Sequence, residues 1–263
     1  MKKIDIAMNE YFNPDIKILN IEFQALGKYW NMPDLSAPYW RFYWNESEGA
    51  VAWFHKKGCP LLPDEITLIP PNTSFSAACK GTPRQFYVHF TAGPPFDAIA
   101  PQIMTIAPGE ELLRQIKLTA KTIEEGKADP VKLSMEVIMF ILYGLSKIPE
   151  RFIMHRQTDP RISRAMKMID DNLAEPPSNT SIASALCMST NAFLRLFKQN
   201  TGVSPQLYSR NRRIDKACIL LHYSDLDIKQ IAAETGFCDR FHFSRAFRKL
   251  RDCGPAEFRK MLS

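Results

Sequence analysis

The chain has 263 residues, 45% hydrophobic and 24% charged, with a net charge of +6. Those proportions exclude a disordered or collagen-like polymer. The longest apolar run, Val137 to Tyr143, is far shorter than the ~20 residues a membrane-spanning helix needs. The N-terminus, Met1-Lys2-Lys3-Ile4-Asp5, has no apolar signal core, so a cytoplasmic location with no membrane partner is expected. Six cysteines lie scattered without a C-x-x-C pair, which points to reduced thiols rather than a zinc ribbon or a dithiol redox site. The charge is unevenly spread. From Pro160 onward there are 17 basic and 10 acidic residues, and before it 17 basic and 18 acidic. A basic segment of +7 joined to a near-neutral one suggests a polyanion-binding domain attached to a domain of another kind.

In chain order, the first part reads as a small β-rich box. Trp40 to Trp44, Ala50 to His55, Glu65 to Ile69 and Gln85 to Phe90 are predicted strands. Asn45 to Gly49 and Lys57-Gly58-Cys59-Pro60 are predicted turns, and Pro70-Pro71-Asn72-Thr73 is a stop. Short strands at this spacing predict a barrel or sandwich. On a strand, Trp40, Phe42 and Trp44 share one face, and Tyr39, Arg41 and Tyr43 the other. Core packing accounts for most such rings. A set of Tyr39, Arg41, Tyr43, Trp44 and Trp53 also suits a sugar or other small polar effector, with rings on apolar faces and Arg41 on hydroxyls or a carboxylate. His55 and His89 have no partner at ligand spacing, so no metal site, cofactor or catalytic constellation is predicted.

Helical spacing begins at Glu110 to Glu125, with Leu112, Leu113, Ile116 and Ile123, and continues at Val131 to Leu145 with Leu133, Val137, Ile138, Ile141, Leu142 and Leu145. Asp129-Pro130 opens the second helix and Pro149 stops it. The pair is expected to cover the box, and one of the two to form a dimer seam. The domain boundaries read as a β-rich box with two helices at 1–150, expected to bind an effector and dimerise, a linker at 151–160 and the basic domain at 161–263.

The last hundred residues repeat. Phe193-Leu-Arg-Leu-Phe197-Lys198 returns fifty positions later as Phe243-Ser-Arg-Ala-Phe247-Arg248, and Ser204-Pro205-x-x-Tyr208 as Gly254-Pro255-x-x-Phe258. Ile182-Ala183 returns as Ile231-Ala232, with one extra residue in the second copy. Each copy reads as helix, turn, helix. The first is Ser181 to Leu186, with Ile182, Ala185 and Leu186 inward, then Thr190 to Asn200 capped by Ser189. The second starts with a capping box at Asp227 to Gln230, with Ile228, Ile231 and Ala232 inward. It turns at Gly236 and continues from Arg240 to Leu250, capped by Asp239. Phe193/Phe197 and Phe243/Phe247 form the buried stripes. The opposite faces are basic and polar, as a major-groove reader requires.

Between the copies, one long helix is capped by Ser204, opens with Pro205 and runs to Tyr223, with a stripe of Leu207, Tyr208, Ile214, Cys218 and Leu221. It spans roughly 28 Å, close to the ~34 Å between successive major grooves.

These residues resemble the AraC/XylS family of transcription regulators over about 160–263. The motifs are I-A-x(9)-F-L-R-L-F-K-x-x-x-G-x-S-P-x-x-Y from Ile182 to Tyr208, and I-A-x-x-x-G-F-x-D-x-x-x-F-x-R-x-F-R from Ile231 to Arg248, with G-P-x-x-F-R ending at Arg259. The box, with L-I-P-P-N-T from Leu68 to Thr73, is similar to the family's cupin-like effector domain. The implied architecture is multidomain α+β: a cupin-like β-barrel or sandwich with two helices, then an all-α domain with two helix-turn-helix motifs. The resemblance implies double-stranded DNA at a promoter as partner, activation through RNA polymerase, a small-molecule effector that is often a sugar, and a homodimer.

Carried over by position, base contacts fall to Asn191, Leu194 and Arg195 in the first copy and Arg240, His242 and Arg245 in the second. Lys198, Arg248 and Lys249 suit phosphates. Leu194 suits a thymine methyl, while His242 is equally suited to the rim. Three positions depart from the pattern: Cys187 stands where a turn glycine is common, Asp252 replaces the glycine matched by Gly202, and Gly254 replaces the cap serine matched by Ser204. Two other functions stay open. One is an enzyme with a metal-dependent box, for which clustered His and Glu ligands are missing from the sequence. The other is a regulator without an effector, whose box only dimerises or contacts a partner. With an effector, the change would pass through Pro149 to Pro160, or through ordering of the segment from Met1 to about Tyr11 over the pocket.

Overall fold

The computed structural model describes residues 14–27, 30–153 and 159–262. The segment from Met1 to Tyr11 and the middle of the linker, 154–158, lie outside the described residues. The chain divides into two compact units, 1–154 and 155–263.

The first unit has two antiparallel sheets. One has the order β1(Lys17–Ala25), β8(Arg84–Thr91), β3(Trp40–Asn45), β6(Ile66–Ile69), β9(Met104–Ile106). The other has the order β2(Met32–Leu35), β7(Phe75–Cys79), β4(Ala50–Phe54), β5(Lys57–Leu61). Period-two alternation separates two cores. Trp40, Phe42 and Trp44 of β3 pack with Ile116 of α1(Glu110–Glu124) and with Val137, Phe140 and Ile141 of α2(Pro130–Ser146). Tyr43 turns the other way, into the core with Ala50, Ala52, Phe75 and Ala77 of the second sheet. β3 is thus in a middle layer, which is why all six of its residues are buried. Asp129 caps α2 by accepting from Lys132 N, with Pro130 in the first turn. Gly144 lets α2 approach β6, since a Cβ there would lie 2.9 Å from Leu68 Cδ1.

One predicted turn is a strand. Lys57 to Pro60 belongs to β5, and the chain reverses earlier, at His55 and Lys56. Both have positive φ, 47° and 65°, the geometry of a type I′ hairpin turn without its usual Asn-Gly. Pro60 is tolerated because β5 is an edge strand. Asn45 to Gly49 is a connection between the two sheets rather than a hairpin within one.

The second unit is helical: α3(Pro160–Asp170), α4(Asn179–Ala185), α5(Thr190–Thr201), α6(Pro205–Tyr223), α7(Ile228–Glu234), α8(Arg240–Arg251) and α9(Pro255–Leu262). It has two cores, one on each side of α6. Phe193 and Phe197 pack with Ile162, Ile169, Ile182 and Leu186, and Phe243 and Phe247 with Ile214, Leu221, Ile231 and Phe258. The repeat extends into ring packing: Phe197 meets Tyr208 edge-on at 5.6 Å, and Phe247 meets Phe258 at 5.4 Å. Two inward assignments differ from expectation. In α4, Ala183 is buried and Ala185 exposed, so the inward stripe runs through Ile182, Ala183 and Leu186. In α6, Leu207 is 37% exposed, while Pro205 and Ser209, one turn apart on another face, are buried.

The three departures from the family pattern have local answers. Cys187 adopts the left-handed conformation (φ 54°) that Gly236 adopts in the second copy (φ 74°), so the first turn keeps its shape. Asp252 does the same (φ 59°) where Gly202 has φ 78°. The backbone N–H of Gly254 donates to Glu257 Oε2 at 3.3 Å, which supplies part of the cap that a serine would have made.

Candidate nucleic-acid interface

α5 and α8 are the second helices of two helix-turn-helix units, each anchored by a side-chain cap. Ser189 Oγ accepts from Ala192 N at 3.3 Å. Asp239 Oδ1 accepts from Phe241 N and His242 N, both at 2.7 Å. The His242 N–H, with the Cys238 thiol and the Phe241 N–H, holds the Asp239 carboxyl below its usual range, so the cap stays charged. With Phe193/Phe197 and Phe243/Phe247 buried, helical geometry turns Asn191, Arg195 and Lys198 outward on α5, and Arg240, Arg245, Arg248 and Lys249 outward on α8.

The basic residues of this unit divide into two groups. Arg212 and Arg213 on α6, Arg251 at the end of α8 and Arg259 on α9 are bound internally. Arg213 donates from Nε to Leu173 O (2.6 Å), from Nη1 to Gly236 O (3.0 Å) and from Nη2 to Ala174 O (3.1 Å). It thereby ties the loop after α3 to the turn of the second copy. Arg212 bonds Asp170 at 2.9 Å, and Arg251 bonds Asp215. Burial pushes the Asp215 carboxyl up, against the pull of Arg251 and Arg212. Arg259 donates to the carbonyls of Leu221 and Leu226. By contrast, Arg195, Lys198, Arg240, Arg245, Arg248 and Lys249 form no ion pair among the described residues. A fixed set of exposed cations without counter-charges is what phosphates and base edges can use.

Two predicted base-contacting residues are placed differently. Leu194 is half-buried and packs on the first core, because it lies one residue from Phe193 on the flank of the stripe. His242 is exposed and contacts its own turn, with Nδ1 3.4 Å from Cys238 Sγ and its ring edge-on to Phe237 at 5.5 Å. The residue that projects from this end of α8 is Phe241, 74% exposed. It was not among the expected contacts, although the fifty-residue offset matches it to Asn191.

In the first unit, the five expected effector residues do not share one site. Tyr39, Arg41 and Tyr43 do: Arg41 lies 4.9 Å from the Tyr39 ring and 5.1 Å from the Phe75 ring, and His89 packs against both tyrosines. Trp44 is on the opposite face of β3, in the core beneath the helices, with Nε1 bonded to Pro63 O at 2.9 Å. Trp53 is 43% exposed on β4, where the residues on either side, Ala52 and Phe54, have opposite orientations; its ring covers Gly58 of β5. Alternation along the strands separates these two from Arg41.

Arg41 is completely buried, and its Nε, Nη1 and Nη2 have no hydrogen-bond partner among the described residues. Trp30 Nε1 and Thr73 Oγ1 of the same unit are also buried with no hydrogen-bond partner among the described residues. His89 also packs on Tyr87, and Trp30 lies edge-on to Tyr43 at 5.5 Å; the cross-strand pairing of Arg41 with His89 is the signal that would have located the histidine. Burial pushes the Tyr43 phenol up, so it remains a donor. Among the described residues, no group of three or more His, Cys, Asp or Glu is brought together as metal ligands, and no helix is long and apolar enough to cross a membrane.

Comparison with known proteins matches residues 182–261 to a family described as "Helix-turn-helix domain". The transcriptional activator RhaS of Escherichia fergusonii is 37% identical over 103 residues, covering 39% of this chain and 37% of that protein. The arabinose operon regulatory protein of Escherichia coli K12 is 35% identical over 109 residues, covering 40% and 37%. The matched stretch therefore spans little more than a third of either relative. ToxT of Vibrio cholerae O395 has the same overall fold: its structure covers 93% of this chain and 98% of that one, with a TM-score of 0.56 at 15% identity.

Proposed function

Because the chain belongs to the AraC/XylS family of helix-turn-helix transcription regulators, we propose that it binds specific DNA sequences and regulates transcription in response to a small polar effector. The observation that carries this reading is the pair of repeated helix-turn-helix units, each presenting cations that form no ion pair among the described residues. Asn191 and Arg195, with Arg240 and Arg245, take base edges, and Lys198, Arg248 and Lys249 take phosphates. Activation through RNA polymerase is the favoured mode, in keeping with the activator name of the RhaS relative.

The first unit holds the effector at Tyr39, Arg41 and Tyr43. A buried guanidinium with no hydrogen-bond partner among the described residues costs several kcal/mol, and a ligand carboxylate or hydroxyl would offset that cost. A sugar or sugar acid meets that need, and the arabinose operon regulator is a relative of suggestive name. Homodimerisation uses the outer face of α2, where Val131, Met135, Met139 and Leu142 are 71%, 63%, 58% and 40% exposed at helical spacing.

Two measurements test the reading. Fluorescence anisotropy on labelled duplexes should give sequence-dependent affinity that falls steeply with salt; equal, salt-insensitive affinity for all duplexes would refute it. A thermal-shift screen against sugars and sugar acids should give a shift in wild type that Arg41→Met abolishes. A ligand at about 100 times its Kd adds about 2.7 kcal/mol. No shift from any member would remove the effector from the proposal and leave the DNA-binding part standing.

A further inference from the structure

Phe241 is the most exposed large apolar side chain on the helical unit, at 74%. Folding does not need it there, because Phe243 and Phe247, both fully buried, already complete the inner stripe of α8. It is the second residue of α8, as Asn191 is the second residue of α5, and the repeat matches the two. Its backbone is pinned by the Asp239 cap, and the neighbouring His242, also exposed, contacts Cys238 rather than the Phe241 ring. Around it are Ser244, Arg245, Arg248 and Lys249, which line a shallow concavity with it, and Arg240, whose guanidinium carbon lies 6.0 Å from the ring centroid.

That environment selects the occupant. A ring bordered by four cations without counter-charges complements a polyanion that also offers an apolar group. In the major groove of DNA only the thymine C5-methyl is such a group. We propose that Phe241 determines specificity by packing against a thymine methyl in the half-site read by α8, where the matched Asn191 of α5 instead bonds a base edge. The inference rests on the DNA-binding reading above. The two copies then read different chemistry from the same helical position. Burying one methyl group is worth about a three- to fivefold change in affinity.

The test uses the full-length protein. A random duplex library is selected for binding, and the enriched sequence is synthesised with each thymine replaced singly by uracil, which removes only the methyl. Wild type should lose three- to fivefold at one position. Phe241→Ala should bind the parent duplex more weakly by the same factor and be indifferent to uracil at that position. Its melting temperature should match wild type, because the ring is exposed. Phe241→Asn should change the preferred base there when the selection is repeated. If no thymine is sensitive to uracil, or if the sensitivity persists in Phe241→Ala, the inference is overturned and the DNA-binding reading survives. If wild type enriches no sequence at all, both fall.

Discussion

The two helix-turn-helix copies make the same turn with different residues at its tightest point. Gly236 in the second copy and Cys187 in the first both have left-handed backbones. The surroundings differ. A Cβ on Gly236 would lie 2.1 Å from the carbonyl oxygen of Ala174, whereas Cys187 is exposed. Glycine at 236 is thus demanded by a neighbour, the loop after α3 that Arg213 holds in place, and not by φ alone. In the first copy only the intrinsic cost of the left-handed conformation is paid, about 1–2 kcal/mol for a residue with a side chain.

Substitutions at five positions would break or sharpen that comparison. The largest effect is expected from Gly236→Ala, which drives a methyl into the Ala174 backbone: a loss of about 3 kcal/mol or more in urea unfolding, against little change for Cys187→Ala. Arg213→Ala removes three bonds to carbonyls from both sides of α6 and should cost about 2–3 kcal/mol, with Arg213→Lys failing to restore it because one ammonium cannot span three acceptors. If Arg213→Ala leaves stability unchanged, the link between the copies is not energetic. On DNA, Arg195→Ala and Arg245→Ala should each cost about 1–3 kcal/mol at particular base pairs, in different half-sites; a uniform loss on all sequences would make them phosphate contacts. The smallest effect is a gain: Cys187→Gly should stabilise by about 0.5–1 kcal/mol, the relieved strain less the extra entropy of an unfolded glycine.

Much of the helical unit was legible because its signals are local. Ser189, Ser204, Asp227 with Gln230, and Asp239 all cap the helices they precede. The Phe193/Phe197 and Phe243/Phe247 stripes are fully buried. α3 was missed because its stripe of Ile162, Ala165 and Ile169 is short and its partners lie in α4 and α5. In the first unit the alternation along β3 was read correctly, yet Trp44 and Trp53 were grouped with Arg41. The grouping failed because alternation assigns a side chain to a face without saying what covers that face. Strands β1, β2, β7 and β9 carry weaker patterns, and the β4–β5 turn uses residues that do not announce a left-handed backbone.

The sequence by itself determined the repeat, the caps and the outward basic faces, since each follows from side-chain period and charge within one or two turns of helix. It also determined that Tyr39, Arg41 and Tyr43 lie together. Only the tertiary structure decided that Arg41 is sealed with no hydrogen-bond partner among the described residues, and that Gly236 is pressed against Ala174. Each of those depends on what a distant segment brings to the residue, and no local pattern carries that information.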